Sequence, residues 1–270
     1  MRKIQNTKSK TLSRLGIFLI GMSVISFIIF YVVTMISNQG YHYIDVDTLE
    51  FVQDQEIPEN APVAVIDTSL GEIRAVLYPE YAPETVSQFI TLAESGYYDN
   101  TYVFEAKNDV YFAAGSIDNL GSLPENTPES QERLPQELHQ NLWTFRGALC
   151  AVNTASDTSF TKRLFKTETY YTGSRFMLLN SVDFSDPEFL EQFREASGSE
   201  ELADLFIEKG GVPNFAQQMT VFGQVYQGFD VIQEICSAQL QEENVQGYTP
   251  PAEDILIRSV RISEYISENA

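Results

Sequence analysis

Cysteine and histidine are scarce, with two of each in 270 residues. Cys150 and Cys236 are too few for a disulfide framework or a Cys-rich zinc site. His42 and His139 give no basis for a His-built metal centre. Positive charge is also short: 17 Lys and Arg stand against 38 Asp and Glu, for a formal charge of −21. Gripping phosphates needs clustered basic residues, so nucleic acid is excluded as a partner. Alanine is missing until Ala61, acids are missing from residues 1–14, and charge of either sign is missing from residues 15–36. No internal repeat or low-complexity tract occurs. What is present is 43% hydrophobic and 20% charged, a balance that excludes a disordered chain, and the length suits one large domain or two small ones. Both cysteines sit among apolar neighbours and read as buried thiols, with a disulfide between them left open.

Five of the 17 basic residues are gathered at one end. Arg2, Lys3, Lys8, Lys10 and Arg14 precede Leu15–Ile36, LGIFLIGMSVISFIIFYVVTMI. As a helix this run is about 33 Å long, enough for a bilayer core of about 30 Å. The flank beyond it carries Asp45, Asp47 and Glu50. The positive-inside rule therefore predicts a cytoplasmic tail over 1–14, a single transmembrane helix over 15–36 and an extracytoplasmic remainder, tethered to the cell membrane. A cleaved signal peptide would have a shorter apolar core and a small-residue site after it. The late first alanine favours the uncleaved anchor.

Residues 37–60 read as an acidic stalk, partly packed on a domain spanning 61–266. Val63–Thr68 and Ile73–Tyr78, joined through Gly71, predict a β-hairpin. Pro83 opens an amphipathic helix over 84–95, with Val86, Phe89, Ile90 and Ala93 on one face. Strands are expected at 110–114, 147–153, 175–179, 219–225 and 255–262, and a second helix at 229–236. Residues 183–210 predict a helical insertion, with Asp186 as N-cap and Pro187 in the first turn. The fold class is mostly β, a barrel capped by helices.

Three stretches resemble the cyclophilin-type peptidyl-prolyl cis-trans isomerases. APVAVIDTSLGEIRAVLYPEYAPETVSQFITLAESGYYDNT (61–101) is similar to that family's opening strand pair, its Y-P-x-x-A-P-x-T-V-x-x-F helix and its G-Y-Y-D turn. RGALCAVNTA (146–155) with GSRFMLL (173–179) is similar to R-G-x-x-x-M-A-N and G-S-Q-F-F-I. GGVPNFAQQMTVFGQVYQGFDVIQEI (210–235) is similar to H-x-V-F-G-x-V-x-x-G-M-D-V-V. The resemblance implies a closed eight-stranded β-barrel with two capping helices. It also implies a groove for extended or proline-containing polypeptide segments, isomerisation of X–Pro bonds, and no metal or cofactor.

The reaction must lower a barrier of about 18–20 kcal/mol to rotation about the amide. The family does so with an Arg beside the prolyl amide, helped by a Gln and a His, and with an apolar pocket for the ring. In this sequence those three catalytic positions map to Glu105, Ala113 and Met219, so no catalytic residue is assigned. The groove residues carried over are Phe104, Glu105, Val110, Phe112, Ala113, Val152, Asn153, Arg175, Met177, Asn214, Phe215 and Met219. A carboxylate donates no hydrogen bond and repels a carbonyl oxygen. Losing a positioned donor removes about 3–4 kcal/mol of barrier lowering. The expectation is a weakened isomerase and protein-folding helper. The alternative is an inactive peptide-binding or envelope scaffold module of the same fold. Arg175 offers one compensation, an ion pair with Glu105 in the groove; otherwise it is a solvated strand residue.

Overall fold

The computed structural model describes residues 44, 48–159, 162 and 168–267. Among them the elements run β1 (Pro62–Thr68), β2 (Glu72–Leu77), α1 (Pro83–Glu94), β3 (Thr101–Lys107) and β4 (Tyr111–Ser116). Then come β5 (Leu134–Pro135), β6 (Ala148–Asp157), β7 (Thr169–Leu179), α2 (Pro187–Ser197) and α3 (Glu200–Lys209). β8 (Val221–Gln227), α4 (Phe229–Cys236) and β9 (Leu256–Glu264) complete the chain. Strand pairing follows β4–β3–β9–β1–β2–β8–β6–β7, and a β4–β7 pairing joins the two ends. The result is the expected closed barrel of eight strands, with β5 outside the ring on β7.

The β1–β2 turn is fixed by Thr68, whose Oγ1 accepts from the Leu70 and Gly71 amides at 3.1 and 3.0 Å. Alternation then sends Ala64, Ile66, Ile73, Ala75 and Leu77 into the barrel. Phe89 of α1 closes on this interior, its ring 5.1 Å from Phe222, 5.2 Å from Tyr98 and 5.9 Å from Phe176. From α4, Ile232, Ile235 and Cys236 join the same cluster. The N-cap of α1 is Ala82, which has no side chain to offer. The Glu137 carboxylate does the capping from a distance, accepting from the Glu84 and Thr85 amides and from Thr85 Oγ1 at 3.1, 2.8 and 2.7 Å.

β3 has no counterpart among the strands expected from periodicity. Its register with β4 shifts between Tyr102 and Val103 and again between Val103 and Glu105. The consecutive residues Val103 and Phe104 are both buried, in two different apolar clusters. A bulge of this kind breaks the period of two that marks a strand. The insertion between β7 and β8 is helical: Asp186 caps α2 by accepting from the Glu188 amide at 3.0 Å, with Pro187 at the first position. α3 buries Leu202, Ala203 and Phe206 against Trp143 and Phe145.

Leu49 and Phe51 pack on that same cluster. The Gln53 side chain pairs with the Trp143 backbone in both directions, accepting from its amide at 2.6 Å and donating to its carbonyl at 2.8 Å. The described residues 156–159, 162, 168 and 169 fall in one compact unit, and 44, 48–155 and 170–267 in another. Within the first, Lys162 Nζ meets Asp157 Oδ2 at 2.5 Å. Among the described residues no helix is long and apolar enough to cross a membrane. The expected tail at 1–14 and span at 15–36 lie outside them.

Candidate functional site

A second apolar layer covers the outside of the barrel. Phe104, Ala113, Cys150, Met177 and Leu179 form its buried floor, and Val110, Tyr111, Val152, Phe215, Met219 and Tyr248 are half-buried against them. Register explains the assembly. Ala113 pairs with Glu105 on β3 and with Met177 on β7, so these three side chains make one row across three strands. Seven of the residues expected in the groove therefore share one surface: Phe104, Val110, Ala113, Val152, Met177, Phe215 and Met219. A short 3-10 turn, Pro213–Phe215, presents Phe215 to it.

Phe112 does not belong there. It pairs with Ala106 and Leu178, and all three are buried in the barrel interior. Neighbouring residues of a strand face opposite ways, so Ala113 outside requires Phe112 inside. The same alternation puts Tyr111 outside, and this residue is missing from the sequence-derived set. Its ring lies 5.7 Å from that of Phe215, and its hydroxyl donates to Glu105 Oε1 at 3.0 Å.

Glu105 is the electrostatic feature of the row. Burial pushes its carboxyl above the usual carboxylate range, against the opposing pull of the Tyr111 hydrogen bond and of Lys107. Burial and the adjacent Glu105 charge in turn hold the Tyr111 phenol well above its ordinary value, so it remains a donor. Where the resemblance calls for a guanidinium, the surface thus presents an acceptor already engaged by a phenol.

Arg175 neither pairs with Glu105 nor faces solvent. It is 9% exposed, and its Nη1 donates to the Gly121 carbonyl at 3.0 Å and meets the Tyr248 hydroxyl at 3.4 Å. Its guanidinium carbon lies 5.4 Å from the centre of the Phe104 ring. The Nε finds no acceptor among the described residues. Arg175 falls one row beyond Met177 on β7, where the 121 and 248 loops cover it. The close approach depends on Gly121: with φ +85, a β carbon there would sit 2.6 Å from the Tyr248 ring. Tyr248 comes from an irregular segment, and no sequence signal points to it.

Asn153 and Asn214 are exposed. The Asn153 side-chain oxygen accepts from Gln136 Nε2 at 3.3 Å, and the same nitrogen donates to the Gln218 carbonyl at 2.5 Å. Both cysteines are buried and free. Burial raises both thiols, Cys150 far and Cys236 to about 12, so neither supplies a thiolate at neutral pH.

Comparison with known proteins agrees with this geometry. Residues 63–174 match the family model described as "Cyclophilin type peptidyl-prolyl cis-trans isomerase/CLD". Curated relatives from Staphylococcus epidermidis and Staphylococcus aureus are 25% identical over 211 residues, 78% of this chain and 96% of theirs. Their names assign them provisionally to the peptidyl-prolyl cis-trans isomerases. A Cryptosporidium parvum cyclophilin type peptidyl-prolyl cis-trans isomerase, solved in the presence of the dipeptide Ala-Pro, superposes with a TM-score of 0.52 at 17% identity, covering 75% of this chain and 99% of its own. A second structure of that protein gives 0.54 at 16% identity.

Proposed function

We propose that the chain, whose residues 63–174 match the cyclophilin-type peptidyl-prolyl cis-trans isomerase model, is a divergent member of that family, and that its outer apolar surface binds proline-containing polypeptide segments and isomerises them weakly. One observation carries the reading: the row Glu105–Ala113–Met177, flanked by Tyr111 and Phe215, keeps an apolar seat and replaces the donor beside it with an acceptor. Apolar contacts hold a prolyl ring in either isomer, so binding survives. Rate acceleration requires stronger contacts in the twisted state than in the planar ones. An ionised Glu105 opposes the carbonyl oxygen of that state, and the Tyr111 phenol is the one donor beside it. The same residues favour an inactive binding module as the second reading.

In this reading the apolar run at 15–36 anchors the domain on the outer side of the cell membrane, where it assists the folding of exported chains. Its support is the five basic residues before the run and the acidic flank after it. Protease added to intact spheroplasts should degrade the domain while sparing an epitope fused at residue 1; a protected domain overturns the topology. For the groove, an Ala-Pro-containing peptide should bind the full chain saturably and its Ala-Ala counterpart should not. Phe215→Ala should weaken that binding about tenfold. Equal binding of the two peptides would refute a prolyl seat.

A further inference from the structure

At a different edge of the same outer apolar layer, against which Val52, Tyr78 and Tyr81 also pack, residues 52–62 cross β2 and the β2–α1 turn and line a cavity of about 320 Å³. That volume is at the lower end of ligand sites. Val52, Ile57 and Leu77 supply aliphatic surface, and Pro58, Pro62 and Pro79 stiffen the backbone around it. Tyr78 and Tyr81 form a corner, their rings 6.3 Å apart and 89° to one another. The other side of Tyr81 is taken by His139, at 4.7 Å. Glu56 and Glu80, both exposed, belong to the lining as well, while Glu50 and Glu80 act on Tyr81 closely enough to raise its phenol, after burial itself. Among the described residues that line the cavity none is Lys or Arg, while Arg146 and Lys209 line the adjoining pocket that shares Gln55, Ile57, Val76 and Tyr78 with it. The Tyr78 hydroxyl is deeply placed, and burial raises it strongly.

We propose that this cavity, built by the segment preceding the barrel, is a second binding site that takes an alkylammonium group, the side chain of a lysine. Tyr78 and Tyr81, set edge to face in the cavity wall, supply aromatic surface whose quadrupole attracts a cation. The Glu56 and Glu80 carboxylates at the cavity favour positive over negative charge. The aliphatic and proline walls match the four-carbon stem below the ammonium. The chain's formal charge of −21 draws cationic partners from a distance. The site shares no residue with the Glu105 row, although Val52, Tyr78 and Tyr81 pack on the same apolar cluster, and its ligand chemistry does not depend on the prolyl reading. Together the two sites would let the domain hold an extended client by a proline and by a lysine.

The test is an NMR titration of the purified full chain with N-acetyl-lysine amide, N-acetyl-norleucine amide and n-butylammonium. The two amides differ only in the ammonium, and n-butylammonium separates a free amine from a peptide side chain. Saturable shifts at Tyr78, Tyr81 and Ile57 are expected with the lysine amide and not with norleucine amide. Tyr81→Phe keeps the ring and should retain binding; Tyr81→Leu should weaken it about tenfold. Glu56→Gln with Glu80→Gln should weaken it about fivefold. Melting curves identify variants that have lost the fold, and Glu56→Gln with Glu80→Gln, changed only at exposed residues, decides if Tyr81→Leu fails. n-Butylammonium binding as tightly as the lysine amide upholds the site and places recognition in the stem and charge. Equal binding of norleucine amide, or no saturable shift with either cation, overturns the proposal.

Discussion

At the scale of the residue, one substitution sets the chemistry. Glu105 is half-buried, tied to Tyr111, and flanked by an alanine where a longer polar side chain would have helped it. Burial disfavours its charged form, so its carboxyl binds a proton more tightly in the folded chain than in the unfolded one. The sign follows from linkage: a carboxyl with a raised folded pKa burdens the fold once ionised, and the burden disappears as pH falls through that pKa. Glu105→Gln keeps an acceptor for the Tyr111 hydroxyl and removes the charge. Thermal melts should show this variant more stable than the parent at pH 7, with the gain shrinking towards the ordinary Glu range near about 4.3. A gain that persists unchanged into acid would place the stabilisation elsewhere. Arg175 makes the complementary point. A strand arginine in an apolar context reads as groove-lining or solvated. Its actual partners, the Gly121 carbonyl, Tyr248 and the Phe104 ring, come from segments far away in sequence.

At the scale of the element, much was legible because local pattern and tertiary need coincide. α1 and α4 bury one face at the helical period, alternate residues of β1 and β2 face the interior, and Asp186-Pro187 starts α2 as that pair should. β3 was hidden because its bulge interrupts alternation. That interruption, followed by strict alternation along β4, separates Phe112 from the groove and brings Tyr111 into it. The cap of α1 was illegible for another reason. Ala82 and Glu137 are distant in sequence, and only the folded barrel brings them together. Three hydrogen bonds to one carboxylate at a helix N-terminus make a strong cap. Glu137→Ala should cost about 1–2 kcal/mol of unfolding free energy by denaturant titration. A change within error would mean that water replaces the cap without cost.

At the scale of the molecule, the barrel is one part of a larger arrangement. Residues 48–60, part of the 37–60 stretch that reads from sequence as a stalk with partial packing, place Leu49 and Phe51 on the Trp143–Phe206 cluster, lock Gln53 to Trp143 and roof the cavity beside Tyr78. A chain beginning at Ala61 should therefore melt several degrees below one beginning at Ile44, since a loss of about 1 kcal/mol moves a chain of this size by about 2–4 °C. Equal melting temperatures would make the segment a passive tether.

The central claim is a prolyl seat with its electrophile replaced by an acceptor. Exchange NMR on an Ala-Pro peptide tests it most directly, comparing the full chain with its Glu105→Arg, Ala113→Gln double variant. The account predicts saturable binding by both, at most a small acceleration of cis–trans exchange by the parent, and an acceleration at least about tenfold greater by the variant. Fast exchange catalysed by the parent and lowered by the double variant would contradict it.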